Sequence, residues 1–263
     1  MSVAIQGEGL ITRVEDKYLV PEPSKDFLMR FLARTLVSAD ASAEAPETLI
    51  ESVYFDSPNL ELYRDHFASN ETRYKLRTRR YGAGNFASSD AITVELKEKD
   101  HGLTRKTRLA IGDEQYRALV FGNAFLQANE ISTLNPKLPR DVLRARVEQI
   151  NARVSAFSLR PVCRIVYRRR AFEYGSLRVT CDEQLRFQAL APIDASIRGR
   201  IKASPFFHEA VAMGFRFLHK PSVVLEVKHR DEVPGWLSSF LREHQLESVK
   251  FSKYCFAITE SLQ

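Results

Sequence analysis

The sequence predicts an α+β fold: a mainly antiparallel, barrel-like sheet around a charged interior, with helices packed outside. Three observations carry that expectation. Segments that read as strands alternate charged with apolar or small residues: Lys75-Leu76-Arg77-Thr78-Arg79, Glu95-Leu96-Lys97-Glu98-Lys99, Leu177-Arg178-Val179-Thr180-Cys181-Asp182 and Val223-Val224-Leu225-Glu226-Val227-Lys228. A strand puts residues i, i+2 and i+4 on one face, so each segment has one charged, mostly basic face and one apolar or small face. Turn signals at Asp100-His101-Gly102 and Tyr174-Gly175-Ser176 join neighbouring strands as hairpins, and helical periodicity appears between the hairpins.

Taken in order, residues 10–20 read as a strand that Pro21 and Pro23 end, and Ser24 reads as the cap of a helix carrying Phe27, Leu28, Phe31, Leu32 and Leu36 at helical spacing. Residues 38–47, rich in Ala, Ser, Glu and Pro, read as a loop. Residues 49–56 are a strand, Ser57-Pro58-Asn59 turns into a short helix through Tyr63 and Phe67, and residues 72–81, 91–99 and 103–111 are three strands. Residues 113–132 and 138–157 follow as helices, 160–174 and 176–187 as a hairpin, 204–218 as a helix and 221–229 as a strand. Helices over 232–245 and 253–262 end the chain, and with no internal repeat or linker the expectation is a single domain over residues 1–263.

The bulk numbers narrow the function. Thirty-nine Lys and Arg against 33 Asp and Glu give a net charge of +6, which suits an anionic partner. Cys163, Cys181 and Cys255 are odd in number and far apart, so they read as small buried hydrophobes rather than a disulfide frame or a zinc site. The first twenty residues hold Arg13, Glu15, Asp16 and Lys17 and no apolar h-region, and no run approaches a membrane span; the expected compartment is the cytoplasm. Walker A, GxGxxG, GxSxG and HExxH patterns are absent. The run Arg168-Arg169-Arg170 flanks a strand and lacks the aromatic pattern of an RNA-binding sheet, so no nucleic-acid partner is expected.

An isolated KxRxR segment is ordinarily a solvated strand face, but here Lys75, Arg77, Arg79, Lys97, Lys106, Arg108, Arg178, Lys228 and Lys250 repeat the pattern. Arginine offers planar, forked donors that match phosphate oxygens, so the other reading is a site for oxyanions. Glu15, Glu95 and Glu226 each stand two residues before a lysine, Lys17, Lys97 and Lys228. Such a carboxylate is either half of a structural salt bridge or a ligand of Mg²⁺ or Mn²⁺ beside a triphosphate, since these ions take one or two carboxylates plus phosphate oxygens.

Nine short segments then occur in an order that resembles a known family. They are Lys17-Tyr18-Leu19-Val20, Tyr54-Phe55-Asp56-Ser57-Pro58, Tyr63-Arg64-Asp65, Arg77-Thr78-Arg79-Arg80-Tyr81-Gly82, Val94-Glu95-Leu96-Lys97, Arg169-Arg170-Ala171-Phe172, Arg178-Val179-Thr180-Cys181-Asp182, Leu225-Glu226-Val227-Lys228 and Lys250-Phe251-Ser252-Lys253-Tyr254. Together they resemble the VTC (vacuolar transporter chaperone) domain, the polyphosphate polymerase branch of the triphosphate tunnel metalloenzymes. The resemblance implies a tunnel of about eight antiparallel strands with basic walls. It implies that Lys17, Arg77, Arg79, Lys97, Arg169 and Arg178, with Lys250 or Lys253, hold phosphates. It also implies that Glu226 holds a divalent metal, Mn²⁺ or Mg²⁺. Strand phase alone adds Lys75, Lys106, Arg108 and Lys228 as substrate-binding residues and Glu15 and Glu95 as metal-binding ones.

The sister CYTH branch begins with ExExK; here the stretch is Arg13-Val14-Glu15-Asp16-Lys17, with Arg in place of the first Glu, which favours the VTC branch. The implied reaction is transfer of the ATP γ-phosphoryl group to a polyphosphate chain. The alternatives are a metal-dependent tripolyphosphatase or nucleoside triphosphatase, and a non-catalytic polyphosphate-binding module. Eukaryotic polymerases of this family also carry a phosphate-sensing domain and a membrane module. Neither pattern occurs in this sequence, so the catalytic domain alone is expected, with any membrane coupling supplied by a partner protein.

Overall fold

The structure, a computed structural model, describes residues 3–5, 10–12, 14–36, 47–68, 70–82, 91–122, 124–204, 207, 222–230 and 232–263. Its strands are β1 (Val3–Ile5), β2 (Leu10–Thr12), β3 (Val14–Pro21), β4 (Glu47–Asp56), β5 (Arg73–Gly82), β6 (Ile92–Asp100), β7 (Leu103–Ile111), β8 (Arg160–Tyr174), β9 (Leu177–Ala189) and β10 (Ser222–His229). The helices are α1 (Glu22–Leu36), α2 (Glu61–Phe67), α3 (Asp113–Phe121), α4 (Arg140–Ala156), α5 (Ala195–Lys202), α6 (Gly235–Glu243) and α7 (Lys253–Leu262). The ten strands form one sheet in the order β2-β1-β7-β6-β5-β4-β8-β9-β10-β3. Every pairing among the described residues is antiparallel except the short parallel contact of β1 with β7.

The sheet is rolled. Its two edges, β2 and β3, are consecutive in the chain, with Thr12 and Val14 one residue apart, so the chain itself draws the edges together. β3 and β5 stand five strand spacings apart in the sheet order, roughly 24 Å if it were flat. Yet Lys17 of β3 and Lys75 of β5 donate to adjacent residues, Phe251 O at 3.1 Å and Ser252 Oγ at 3.0 Å. The two strands therefore face each other across an interior. The roll stays open by hydrogen bonding, because β2 and β3 do not pair among the described residues. The β3 edge is partly covered by the segment before α7, through Val249 N–H to Lys17 O at 2.7 Å.

The apolar strand phases meet helices on the outside. Val53, Leu76, Val94, Leu96 and Leu109 pack with Tyr116, Leu119, Leu143, Val147 and Ile150 of α3 and α4. Tyr18, Val179, Leu225 and Val227 pack with Leu28 and Leu32 of α1 and Leu237, Phe240 and Leu241 of α6. One helix departs from the expected outside packing. In α7, Tyr254, Cys255, Phe256, Ala257, Ile258, Thr259 and Leu262 are all buried. A helix that is apolar nearly all round has no solvent face, and this one packs against Ile50, Tyr54, Cys163, Ile165 and Tyr167 on the inner face of the sheet. Asp56 anchors it: its carboxylate accepts the N–H groups of Ser57, Leu62 and Tyr63 and the Tyr254 hydroxyl.

Element boundaries differ from expectation for local reasons. α1 begins at Glu22, because Pro23 lies in a first turn that needs no N–H donor. α3 stops at Phe121 with Gly122 as its cap, and the following turns are held by Asn135 and Asn151 to backbone groups of Ala110, Ile131 and Leu126. α5 was not expected; Asp194 caps it by accepting from Ser196 N, and Ile197 and Ile201 bury its inner side. The expected helix over 204–218, and Arg13, lie almost wholly or wholly outside the described residues. Among the described residues no helix is long and apolar enough to cross a membrane.

Candidate functional site

Register places the charged residues in continuous rows around the inner face, because residues paired across strands share a face. One row runs Lys106, Lys97, Lys75 across β7, β6 and β5. The next runs Arg108, Glu95, Arg77, Tyr54, and the next Thr93, Arg79, Ser52. On the other side Arg169 faces Asp182, Thr180 faces Glu226 and Glu226 faces Lys17, while Arg178 faces Lys228 and Lys228 faces Glu15. The alternation in the sequence thus becomes one shared lining.

Glu95 is 2% exposed and sits among cations. It accepts from Arg77 Nε at 2.8 Å and Nη2 at 2.5 Å, with Lys106 Nζ at 2.8 Å and Arg108 Nε at 3.5 Å. Burial alone would push its carboxyl up; Arg77, Arg79 and Lys106 outweigh that and hold it far below the usual carboxylate range. Arg77 also donates to the Tyr54 hydroxyl at 3.0 Å. Its neighbour Arg79 is buried, yet its hydrogen bonds go to neutral groups, Ser52 Oγ at 3.3 Å and Tyr167 OH at 3.2 Å, and among the described residues it makes no ion pair.

Asp182 is fully buried and holds two cations, Arg169 through both carboxylate oxygens at 2.5 and 2.7 Å and Lys253 at 2.5 Å. Burial pushes its carboxyl up, but Lys253 and Arg169 hold it below the ordinary value. Lys253, from the first turn of α7, also stands 5.0 Å over the Tyr167 ring. The structure thereby separates the two terminal lysines: Lys253 enters the lining, whereas Lys250 is exposed.

Glu15 and Glu226 form a third group. Lys17 lies 3.3 Å from Glu15 and 3.8 Å from Glu226; Lys228 lies 3.5 Å from Glu15 and 2.8 Å from Glu226. Burial and the Glu226 charge push the Glu15 carboxyl up, and Lys17, Lys228 and Lys97 bring it below its ordinary value. Burial likewise opposes ionisation of Glu226, which Lys228, Lys17, Lys253 and Arg169 hold well below the usual range. Two ionised carboxylates side by side are a donor set that fits a hard divalent ion, whose remaining positions phosphate oxygens would fill. Of the three glutamates proposed from sequence as metal ligands, the structure brings Glu15 and Glu226 together and leaves Glu95 apart, its charge already taken up by arginine and lysine. No cluster of three or more His, Cys, Asp or Glu with metal-holding geometry occurs among the described residues.

Lys97 is solvent-accessible yet enclosed by the roll. Enclosure, with the charges of Lys75, Lys17 and Lys228, brings its ammonium down to about 8 against the opposing pull of Glu15. Lys75, on Ser252, is lowered as well, chiefly by burial. Arg178 is at the rim: its side chain is 44% exposed and pairs with Glu173 at 3.0 Å. Sequence reasoning missed Asp182, Tyr54, Tyr167 and Ser52 as site residues. Asp182 continues the charged phase of Arg178 and Thr180 and was legible; the other three depend on register with β5 and β8, which no single strand reveals.

Comparisons with known proteins show the family to which the chain belongs. The VTC domain family matches residues 12–261. Vacuolar transporter chaperone complex subunit 4 of Trypanosoma brucei brucei is 24% identical over 230 residues, covering 80% of this chain and 28% of that protein. Subunit 2 of the same complex from Schizosaccharomyces pombe is 23% identical over 219 residues, covering 77% of this chain and 29% of that protein. The chain thus spans between a quarter and a third of the length of these relatives. Among solved structures, the PH1819 protein of Pyrococcus horikoshii overlaps 94% of this chain and 99% of its own at 11% identity and a TM-score of 0.45.

Proposed function

From the fact that the chain belongs to the VTC domain family, we propose that it is a metal-dependent polyphosphate polymerase that moves the γ-phosphoryl group of ATP onto the end of a polyphosphate chain. The observation that supports this most is the inner face itself, where Lys17, Lys75, Arg77, Arg79, Lys97, Lys106, Arg108, Arg169, Lys228 and Lys253 share one side of the rolled sheet with few carboxylates to balance them. A terminal phosphate oxygen of the acceptor attacks the γ-phosphorus, the bond to the β,γ-bridging oxygen breaks, and ADP leaves with those electrons. The nucleophile is already ionised, so the protein needs no base; its work is alignment and relief of repulsion between two polyanions.

In this reading Arg79, which has no carboxylate partner among the described residues, is a phosphate donor, and Arg77 and Arg169 present the edges that Glu95 and Asp182 leave open. Lys97, Lys75 and Lys106 neutralise charge along the neighbouring row of the β5–β7 wall. Glu226 and Glu15 would hold the divalent ion, which when bound screens charge on the phosphate oxygens. Lys17 and Lys228, within reach of both carboxylates, would add positive charge beside that ion for the substrate. A hydrolytic reading, with water in place of the acceptor, draws on the solvent access of Lys97.

The experiment is incubation with ATP and Mn²⁺, with polyphosphate, ADP and free phosphate measured together. Polyphosphate rising in step with ADP supports the polymerase. Free phosphate replacing it supports the triphosphatase. No turnover of ATP or tripolyphosphate in the presence of binding supports a phosphate-binding module.

A further inference from the structure

Two arginines on distant strands are each held along the Nε/Nη2 edge. Arg77 of β5 places both donors on the single oxygen Oε2 of Glu95 in β6, and Arg169 of β8 places one donor on each oxygen of Asp182 in β9. In both cases arginine and carboxylate are direct cross-strand partners. Both carboxylates are almost without solvent, with side-chain exposures of 2% and 0%. Each guanidinium also stands beside a tyrosine ring, Arg77 5.8 Å from the Tyr54 centroid and Arg169 5.5 Å from that of Tyr167.

A guanidinium carries five N–H donors in a fixed plane. Engaging the Nε/Nη2 side constrains that plane, and among the described residues the Nη1/Nη2 end makes no further hydrogen bond apart from the donation of Arg77 Nη1 to Tyr54. We propose that Glu95 and Asp182 are positioning residues, which set the planes of Arg77 and Arg169 so that their free ends meet the non-bridging oxygens of a linear phosphate chain. The inference rests on the reading above that the inner face binds phosphates, and gives Glu95 a role other than metal ligand. Glu15 and Glu226 do not share it. Their partners are lysines, and an ammonium is a point charge with no plane to set.

The sign of the effect tests the idea. Deleting a negative charge from a cationic cavity should tighten an anion by Coulomb's law alone, whereas loss of a positioning group should weaken it. The measurement is calorimetric titration of the full chain with inorganic tripolyphosphate, without metal. Asp182→Asn and Glu95→Gln are each expected to weaken binding about tenfold, the equivalent of one charge-assisted hydrogen bond, at unchanged stoichiometry. In the Arg169→Lys and Arg77→Lys backgrounds the corresponding loss should shrink by more than half, because lysine has no side-on edge to set. Affinity unchanged or tightened in both carboxylate variants overturns the positioning role. A variant that folds poorly shows itself as reduced stoichiometry, and the other pair then decides. If the unmodified chain does not bind tripolyphosphate at all, it is the phosphate reading that falls.

Discussion

Two stretches of one inner face solve the crowding of cations differently. On the β5–β7 wall a single buried carboxylate, Glu95, is spent on Arg77, Lys106 and Arg108. On the β3–β10 wall two carboxylates, the partly accessible Glu15 and the buried Glu226, share two lysines, Lys17 and Lys228. The first arrangement constrains geometry, since both donors on the Nε/Nη2 edge of Arg77 converge on one oxygen of the buried Glu95. The second is exchangeable, because every ammonium there reaches either carboxylate and neither interaction sets a direction. A carboxylate's sequence context, Glu two residues before Lys, is identical at all three positions; what differs is the residue type that the neighbouring strand supplies.

The largest expected effect separates the walls. Glu226→Gln removes a charge that a hard divalent ion needs. Metal-dependent turnover should fall by more than the ~10²–10³ that one preorganised electrostatic donor supplies in other enzymes. Tripolyphosphate binding without metal should hold or tighten, the opposite sign to Glu95→Gln. Parallel metal titrations of turnover and metal-free calorimetry on both variants check this. If Glu226→Gln and Glu95→Gln behave alike in both assays, the two walls are not different in kind.

Next in size is Arg79. It is buried, but its hydrogen bonds go to Ser52 and Tyr167 rather than to a carboxylate. Arg79→Ala should cost about 1.5–3 kcal/mol of tripolyphosphate binding, the range for a hydrogen bond to a charged group. Its removal also relieves repulsion among neighbouring cations, so the melting temperature without ligand should change little or rise. Arg77→Ala should cost a similar amount of binding, and it leaves Glu95 to Lys106 and Arg108. Unchanged affinity in both variants would make these arginines structural partners only.

The sequence foretold the lining because strand alternation has a period of two and survives any register. Lys75, Arg77, Arg79, Lys97, Lys106, Arg108, Lys228 and Glu226 were each placed on a face by that period alone. It could not say which rows would become neighbours, and so it grouped Glu95 with Glu15 and Glu226. Separating them required the pairings Arg77 with Glu95 and Lys17 with Glu226. The interior position of α7 was also hidden. Its run Tyr254-Cys255-Phe256-Ala257-Ile258 reads as a short buried helix wherever it packs, and long-range contacts, Tyr254 on Asp56, Thr259 with Tyr63 and Lys253 on Asp182, fix it inside the roll.

A smaller effect follows from Lys97. Enclosure brings its ammonium down to about 8, whereas an unfolded lysine titrates near ~10.4. Bound phosphate favours the charged form, so tripolyphosphate affinity should fall several-fold as pH rises from below 8 toward 10. Lys97→Arg stays charged throughout and should flatten that limb. In the absence of ligand the linkage has the other sign. Between about 8 and ~10.4 the unfolded chain holds a proton that the folded chain has lost, so Lys97 contributes stability that increases with pH across that window. Affinity at pH 7 and 9, with and without the substitution, checks the first statement; a limb unchanged by Lys97→Arg assigns it to Lys75 or Lys106, which burial also lowers.

The smallest expected effect lies at the rim, where neither wall's logic applies. Arg178 faces Lys228 across the strands, but its side chain is 44% exposed and its partner Glu173 is 66% exposed. An exposed pair in high dielectric sets no geometry and is screened by salt within about 10 Å at ~0.1 M ionic strength. Arg178 can still draw a polyanion toward the opening, and charges that steer encounter act on the association rate more than on the dissociation rate. Arg178→Ala should therefore slow association of tripolyphosphate a few-fold at low salt, leave dissociation nearly unchanged, and lose most of its effect at ~1 M salt. Stopped-flow association at two ionic strengths checks it. A large, salt-insensitive rise in the dissociation rate would instead place Arg178 among the buried phosphate donors and extend the arginine-fixed geometry of Arg77 and Arg169 to the mouth of the roll.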